Sequence, residues 1–134
     1  SFPLKSLRET RVLVRTVVMA AGRRINFCTT HLGLNQRERM RHINEVLLPV
    51  INSARRVILT GDFNCRPDSP EMQRLTGVLQ DACPPAEQLT FPSNNPAERI
   101  DFVMYTGSWR LVESQVIPAD ASDHNPVLTV FEWD

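Results

Sequence analysis

Residues near the start of the chain alternate in the way that predicts a β-hairpin. β-Branched side chains recur at every second position within residues 11–20, and a second such run covers residues 25–30. Ala21-Gly22-Arg23 lies between the runs and contains the glycine that a tight turn favours. Side chains alternate along a strand, so His31 shares a face with Ile25. We therefore expect two paired strands with His31 at the end of the second.

Apolar spacing and capping residues predict two helices. Asn35 is a typical N-cap, and Glu38 three residues later is placed as its capping-box partner. The apolar residues that follow recur at helical spacing: Met40, Ile43, Leu47, Val50 and Ile51. Pro49 is expected to kink or end this helix. Ser69-Pro70-Glu71 starts the second helix, whose buried side would consist of Met72, Leu75 and Leu79.

Four further strands and one long loop complete the prediction. The apolar run 57–59 begins a buried strand, and residues 100–105, 111–117 and 127–133 have the composition of strands. Residues 84–98 contain four prolines and are expected to form a surface loop, where binding residues often lie.

Composition indicates one globular domain, and charge divides the chain into two unlike halves. The 134 residues are 42% hydrophobic and 22% charged, as in ordinary globular proteins. No apolar run is long enough to span a bilayer. Residues 1–60 hold eleven Lys/Arg and three Asp/Glu, so the formal net charge of zero hides a basic half and an acidic half. This balance argues against binding nucleic acid mainly by bulk charge.

The three cysteines indicate free thiols. Cys28, Cys65 and Cys83 are an odd number for pairing, and their spacing does not match a zinc site. We expect small apolar fillers in a reducing, cytoplasmic compartment.

The segment Ile58-Leu59-Thr60-Gly61-Asp62-Phe63-Asn64 presents a carboxylate and a carboxamide at the end of an apolar run. If the chain stays extended past Gly61, Asp62 and Asn64 point to the same side while Phe63 returns to the core. An acid and an amide aimed at one point suit a hard cation or a phosphate. The alternative is a simple turn, because Gly, Asp and Asn form turns through local hydrogen bonds.

Other predicted strands also end in polar side chains. His31 ends the hairpin, Asp101 interrupts an apolar strand, and Asp123 with His124 precedes the last strand. A structural hydrogen bond explains any one of them, and a buried Asp101 needs Arg99, a histidine or a metal as partner. Strand ends that meet at one edge of a sheet are where α/β proteins build sites. Together these residue types suit metal-assisted hydrolysis of a phosphate ester.

Four short motifs then carry a resemblance. They are Thr30-His31-Leu32, Gly61-Asp62-Phe63-Asn64, Arg99-Ile100-Asp101-Phe102 and Ser122-Asp123-His124-Asn125-Pro126-Val127. In this order they resemble the successive signatures of the endonuclease/exonuclease/phosphatase superfamily. Its members include deoxyribonuclease I-like nucleases, abasic-site endonucleases, sphingomyelinases and inositol-polyphosphate phosphatases. The resemblance implies an α/β (α+β) fold with a mostly antiparallel sheet and flanking helices, similar to one half of the deoxyribonuclease I-like four-layer sandwich.

The resemblance also implies catalytic roles for individual residues. His124 would be the base that activates water, or the group that stabilises the transition state. Asp101 would orient its ring by a hydrogen bond. Asp62 would position the nucleophile, and Asn64 would contact the phosphate.

A divalent cation is implied as well. Asp123 would lie in or near the shell of Mg²⁺ or Mn²⁺, together with Asp62. His31 would bind a phosphoryl oxygen or assist the leaving group, which favours the deoxyribonuclease I and sphingomyelinase branches. Nucleic acid, a lipid head group and a small molecule all remain open as the source of the phosphate ester.

The chain departs from the family in its first part. Family members are longer, and their first half supplies an asparagine and the glutamate that is the principal metal ligand. No segment before His31 resembles that half, so we expect residues 1–134 to be the C-terminal half of such a domain. One sheet with its helices would then lack a facing sheet and expose apolar surface. Self-association through this face is expected unless a partner covers it.

Two alternatives to a metal-dependent phosphoesterase follow from the sequence. A non-catalytic binding or scaffold module would keep the fold without the chemistry, and the missing glutamate favours it. The retained acids, amide and histidines oppose it. A nucleic-acid-binding domain is suggested only by the basic first half and ranks last.

Overall fold

Six strands form the larger of two sheets. The computed structural model describes residues 2–4, 11–107 and 109–133. The strands are β1 (Phe2–Leu4), β2 (Arg11–Ala20), β3 (Arg23–His31), β4 (Val57–Asp62), β5 (Gln80–Asp81) and β6 (Asp101–Tyr105). They lie in the order β1-β2-β3-β4-β6-β5. β3 and β4 are parallel and the other neighbours are antiparallel, which confirms a mostly antiparallel sheet.

The predicted hairpin is confirmed. β2 and β3 are antiparallel, and Ala20 pairs with Arg23 across a two-residue turn. Ala21 and Gly22 both have positive φ, 50° and 75°. Two positive φ values are what a tight hairpin turn of the right twist requires, and glycine adopts them without a steric penalty.

A helical segment connects the parallel strands β3 and β4. It consists of α1 (Gln36–His42), a π-helical turn (Ile43–Leu47) and α2 (Leu48–Asn52). The Asn35 side chain accepts the N–H of Glu38 at 3.2 Å, so the predicted N-cap is confirmed.

Pro49 does not end this helix, which continues to Asn52. Proline has no N–H to donate, and its ring crowds the turn before it. The backbone widens just ahead of Pro49, where the N–H of Leu48 donates to the carbonyl of Ile43, five residues earlier. The π turn accommodates the proline, so of the two expected outcomes, a kink or an end of the helix, the end is wrong.

The second predicted helix is α3 (Pro70–Thr76). Ser69 Oγ accepts the N–H of Met72 at 3.3 Å, and Pro70 occupies the first position. Met72 and Leu75 are buried on α3, as predicted, whereas Leu79 is buried but lies beyond the end of the helix. Among the described residues, no helix has the length and apolar character needed to span a bilayer.

β7 (Trp109–Val116) and β8 (Val127–Trp133) form a separate antiparallel sheet. It packs on the larger sheet through aromatic side chains: the Tyr105 and Phe131 ring centroids are 4.9 Å apart. Ala82, Tyr105 and Trp109 form the buried centre of this contact. The expectation of one sheet without any facing layer is therefore wrong, because the chain supplies two strands of that layer.

The two faces of the larger sheet have different cover. The helices pack on one face, where Leu59 and Phe102 join Ile43, Leu47 and Leu75 in the main core. The β7–β8 sheet covers part of the other face. Within β2 and β3, apolar side chains on that second face remain exposed: Val12, Val14, Val18 and Phe27. This exposed apolar surface agrees with the prediction.

All three cysteines are free, as predicted. Cys28 and Cys65 are buried, and burial raises the pKa of both thiols, to about 11 for Cys65. A buried thiol with a raised pKa is chemically inert and acts as apolar filler.

Candidate active site

Three of the predicted residues lie in one row across three strands. His31 is in register with Asp62 across the parallel pair β3–β4, and Asp62 is in register with Asp101 across the antiparallel pair β4–β6. Residues in register share a face of the sheet. Val103 and Tyr105 alternate with Asp101 and pack against the β7–β8 sheet. The row therefore lies on the face that this small sheet covers, at the end of the strands.

Gly61 lets the two strands approach at this row. Its φ is +152°, and a Cβ built on it would lie 1.8 Å from the carbonyl oxygen of Thr30. No side chain fits there, so glycine is required to bring β4 beside β3 just before Asp62. The signal was present in the sequence as the glycine within the apolar run.

Asp62 lies close to three other site residues. Its Oδ1 accepts the N–H of Asn64 at 2.9 Å. Its Oδ2 is 3.2 Å from His31 Nε2 and 3.5 Å from His124 Nε2. Burial raises the pKa of Asp62, and the charge of Asp101 raises it further, although the Asn64 N–H and both histidines act in the opposite direction. This carboxylate therefore binds a proton more readily than an ordinary aspartate.

His124 and Asp101 form a hydrogen-bonded pair. His124 Nδ1–H donates to Asp101 Oδ2 at 2.8 Å. Burial opposes protonation of the ring, but the Asp101 hydrogen bond and the charges of Asp101, Asp62 and Asp123 outweigh it and raise the pKa of His124. Of the three partners considered for Asp101, the structure gives a histidine. Arg99 instead donates to both carboxylate oxygens of Asp81, at 3.1 and 2.7 Å.

Asn64 reaches the site by a different route from the one predicted. The strand ends at Asp62, and Asn64 has a φ of +50°, so the extended geometry does not continue. Its Nδ2 donates to the carbonyl of Leu32 at 2.7 Å. Phe63 is fully buried and stacks on Phe102, as expected for a side chain that returns to the core.

A cleft of about 540 Å³ opens beside the row. Its lining includes Asn64, His124, Arg39 and Arg66. Phe91 also lines the cleft, and its ring centroid lies 4.7 Å from that of His124. The long loop thus contributes to the site, as predicted, but nothing in the sequence singled out Phe91.

Arg39 corrects a prediction about the helix surface. Arg37, Arg39 and Arg41 cluster at the start of α1, a pattern that from sequence alone predicts a solvated helix face. The Arg39 side chain is only 12% exposed, and its Nε donates to Oε2 of the fully buried Glu71 at 2.6 Å. Gln36 Nε2 donates to the other oxygen of Glu71 at 3.2 Å. This ion pair joins α1 to α3 beside the cleft.

Asp62, Asp101 and His124 bring ligand atoms within 4.8 Å of one another, a group that could hold a metal ion. Asp123, although among the described residues, is not part of this group. It is exposed, and its Oδ1 accepts the Ser122 hydroxyl at 3.2 Å. The metal role of Asp123 stays a prediction, as do the individual roles of the other site residues.

The family model described as "Endonuclease/Exonuclease/phosphatase family" matches residues 2–124. The chain belongs to this family. Endonuclease/exonuclease/phosphatase proteins include phosphatases, nucleases and phosphodiesterases. No protein of curated function matches the chain significantly.

Solved structures confirm the endonuclease/exonuclease/phosphatase fold. A mannosyl-6-phosphatase of Bacteroides thetaiotaomicron superposes with a TM-score of 0.83 at 21% identity, over 92% of this chain and 58% of that chain. The human Nocturnin catalytic domain with bound sulfate superposes with a TM-score of 0.76 at 18% identity, over 92% of this chain and 53% of that chain. A humanized D. rerio TDP2 superposes with a TM-score of 0.74 at 19% identity, over 91% of this chain and 61% of that chain. This chain thus spans somewhat more than half the length of these structures.

Proposed function

We propose that this chain carries the catalytic base and phosphate-contacting residues of a divalent-metal-dependent hydrolase of phosphate esters, of the phosphodiesterase or nuclease type. The observation that carries the proposal is the His124–Asp101 hydrogen bond of 2.8 Å, with Asp62 Oδ2 3.5 Å from the other ring nitrogen. A hydrogen-bonded imidazole beside a half-buried carboxylate is a typical arrangement for general base catalysis.

Each residue has a role in attack of water on phosphorus. Because Asp101 accepts the Nδ1 proton, the neutral ring of His124 has its lone pair at Nε2, the atom that takes the proton from water. Asp62 lies 3.5 Å from Nε2 and positions that water. Asn64 contacts a phosphoryl oxygen, and His31 binds a second one or assists the leaving group.

The residues present fit Mg²⁺ or Mn²⁺. Two carboxylates face each other in the row, and their repulsion contributes to the raised pKa of Asp62. A cation held by Asp62 would relieve this repulsion, and carboxylate oxygens are the ligands that both ions prefer. Asp123 is the further ligand that we propose. When bound, the ion would polarise the phosphoryl oxygens and lower the pKa of a bound water.

The substrate class is a phosphate ester. The names of the structural relatives support this class, since one is a mannosyl-6-phosphatase and another binds sulfate, an analogue of phosphate in charge and shape. The cleft beside His124 would receive the group attached to the phosphate.

The test is hydrolysis of bis(4-nitrophenyl) phosphate with Mg²⁺ or Mn²⁺. It is measured on this chain and on a version extended at its N-terminus. We expect little turnover by the chain alone and metal-dependent turnover by the extended version, which Asn64→Ala should abolish and the remote, exposed Asn52→Ala should not. Metal-independent or absent turnover in the extended version would favour a binding or scaffold module instead.

A further inference from the structure

Thr90 is a fully buried threonine in the loop of residues 84–98. Its hydroxyl accepts the backbone N–H groups of Ile100 at 3.1 Å and Asp101 at 3.4 Å, and it donates to the carbonyl of Glu98 at 3.4 Å. One side chain thus holds the backbone at the point where Asp101 enters β6.

The main chain of Thr90 binds a second segment. Its carbonyl accepts the N–H of Asn125, the neighbour of His124, at 2.7 Å. Asn125 is itself buried, and its Nδ2 donates to the carbonyl of Leu89 at 3.4 Å. His124 lies in the connection between β7 and β8, outside both strands. Its position relative to Asp101 therefore depends on contacts such as these.

The residues after Thr90 contact the other side of His124. The N–H of Ser93 donates to the carbonyl of Asp123 at 2.8 Å. The Phe91 ring lies 4.7 Å from the imidazole, centroid to centroid. The segment 89–93 therefore binds the chain both before and after His124 and also packs on its ring.

We propose that Thr90 is a positioning residue, which holds His124 at hydrogen-bond distance from Asp101 by binding both segments that carry them. The inference rests on the proposed function, in which this pair activates water. Thr90 acts through the backbone, and the geometry it fixes is of the kind that catalysis depends on within about 1 Å.

The test is NMR spectroscopy of the metal-free 134-residue chain. The Nδ1 proton of His124, hydrogen-bonded to a carboxylate, should give a downfield signal in the wild type. Thr90→Val keeps the shape of the side chain and removes the hydroxyl, whereas Thr90→Ser keeps the hydroxyl. Thr106→Val is the matched control, because Thr106 Oγ1 accepts the N–H of Val57 at 3.1 Å beyond the other end of β6.

We expect the signal to disappear in Thr90→Val and to persist in Thr90→Ser and Thr106→Val. Persistence in Thr90→Val, or equal loss in Thr106→Val, would overturn the role of Thr90 and leave the proposed function standing. Absence of the signal from the wild type would contradict the catalytic pair and its positioning together.

A second measurement needs no variant, should Thr90→Val fail to fold. In the wild-type chain the amide protons of Ile100 and Asn125, both bound to Thr90, should exchange with solvent deuterium far more slowly than those of exposed loop residues such as Asn94. Exchange of both at the rate of Asn94 would overturn the proposal.

Discussion

Asp62 lies directly opposite Asp101 in the antiparallel ladder between β4 and β6. Two like charges in register on one face of a sheet destabilise it. When it is protonated, His124 reduces this cost by binding both, with Nδ1 2.8 Å from Asp101 and Nε2 3.5 Å from Asp62. The same three groups that stabilise one another form the proposed catalytic centre.

Asp101→Asn should show how much catalysis depends on the orientation of the His124 imidazole by Asp101. Asparagine keeps the size of the side chain, but its amide no longer stabilises the protonated ring. We expect kcat of the N-terminally extended version to fall about 10²-fold or more, with KM little changed. Steady-state kinetics on the diester substrate measure both constants. The exposed Asp120→Asn is the control, and an equal loss there would contradict the assignment.

The raised pKa of His124 predicts how its contribution to stability depends on pH. The folded protein binds the ring proton more tightly than the unfolded chain. The contribution is therefore complete below the unfolded pKa of about 6.5 and is lost as pH rises through the higher folded value. The difference in free energy of unfolding between wild type and His124→Gln should be larger at pH 5.5 than at pH 9, in urea titrations without metal. An equal difference at both pH values would argue against the pairing.

The buried Arg39–Glu71 pair should matter far more than the exposed Arg66–Glu98 pair. Glu71→Ala leaves the Arg39 charge without its partner and is expected to cost about 3–5 kcal/mol. Glu98→Ala should cost about 1 kcal/mol or less, because water screens the exposed pair. Urea unfolding at pH 7 measures the free energy of unfolding of both variants. Similar losses of stability in the two variants would contradict the burial of the Arg39–Glu71 pair.

The Arg39–Glu71 pair also predicts that the protein loses stability in acid. Burial alone would raise the pKa of Glu71, but hydrogen bonds from Arg39 and Gln36 outweigh burial and lower it. The stabilisation is thus present above the unfolded pKa of about 4.5 and is lost as pH falls through the folded value. Wild type should lose more stability than Glu71→Gln between pH 6 and pH 3.

Gly61→Ala should destabilise the chain severely. The added Cβ would overlap the Thr30 carbonyl and force β3 and β4 apart at the row of site residues. We expect a loss of about 2–4 kcal/mol in urea unfolding. Gly77→Ala is the control, because its nearest atom would lie at an ordinary 3.4 Å. A small effect at position 61 would mean that the strands are not this close.

Much of the fold could be predicted because its signals are local. The hairpin turn at Gly22, the caps at Asn35 and Ser69, and the alternation in β2 and β3 each depend on neighbours in sequence. The candidate site followed from polar residues at strand ends, and the structure brings His31, Asp62, Asp101 and His124 together.

What the sequence did not indicate depends on tertiary partners. Arg39 looks like a surface arginine until α3 places the buried Glu71 beside it. The π turn before Pro49 and the left-handed Asn64 are backbone adjustments that apolar spacing does not encode. Phe91 contacts His124 only because the 84–98 loop returns to the site.

The most direct test of the account is the effect of His124→Ala on metal-dependent hydrolysis of bis(4-nitrophenyl) phosphate by the N-terminally extended version. If His124 is the base oriented by Asp101, kcat should fall by a factor on the order of 10²–10⁴ while the variant stays folded. Turnover within about twofold of the wild type would contradict the account, since general base catalysis by this residue is worth far more than that.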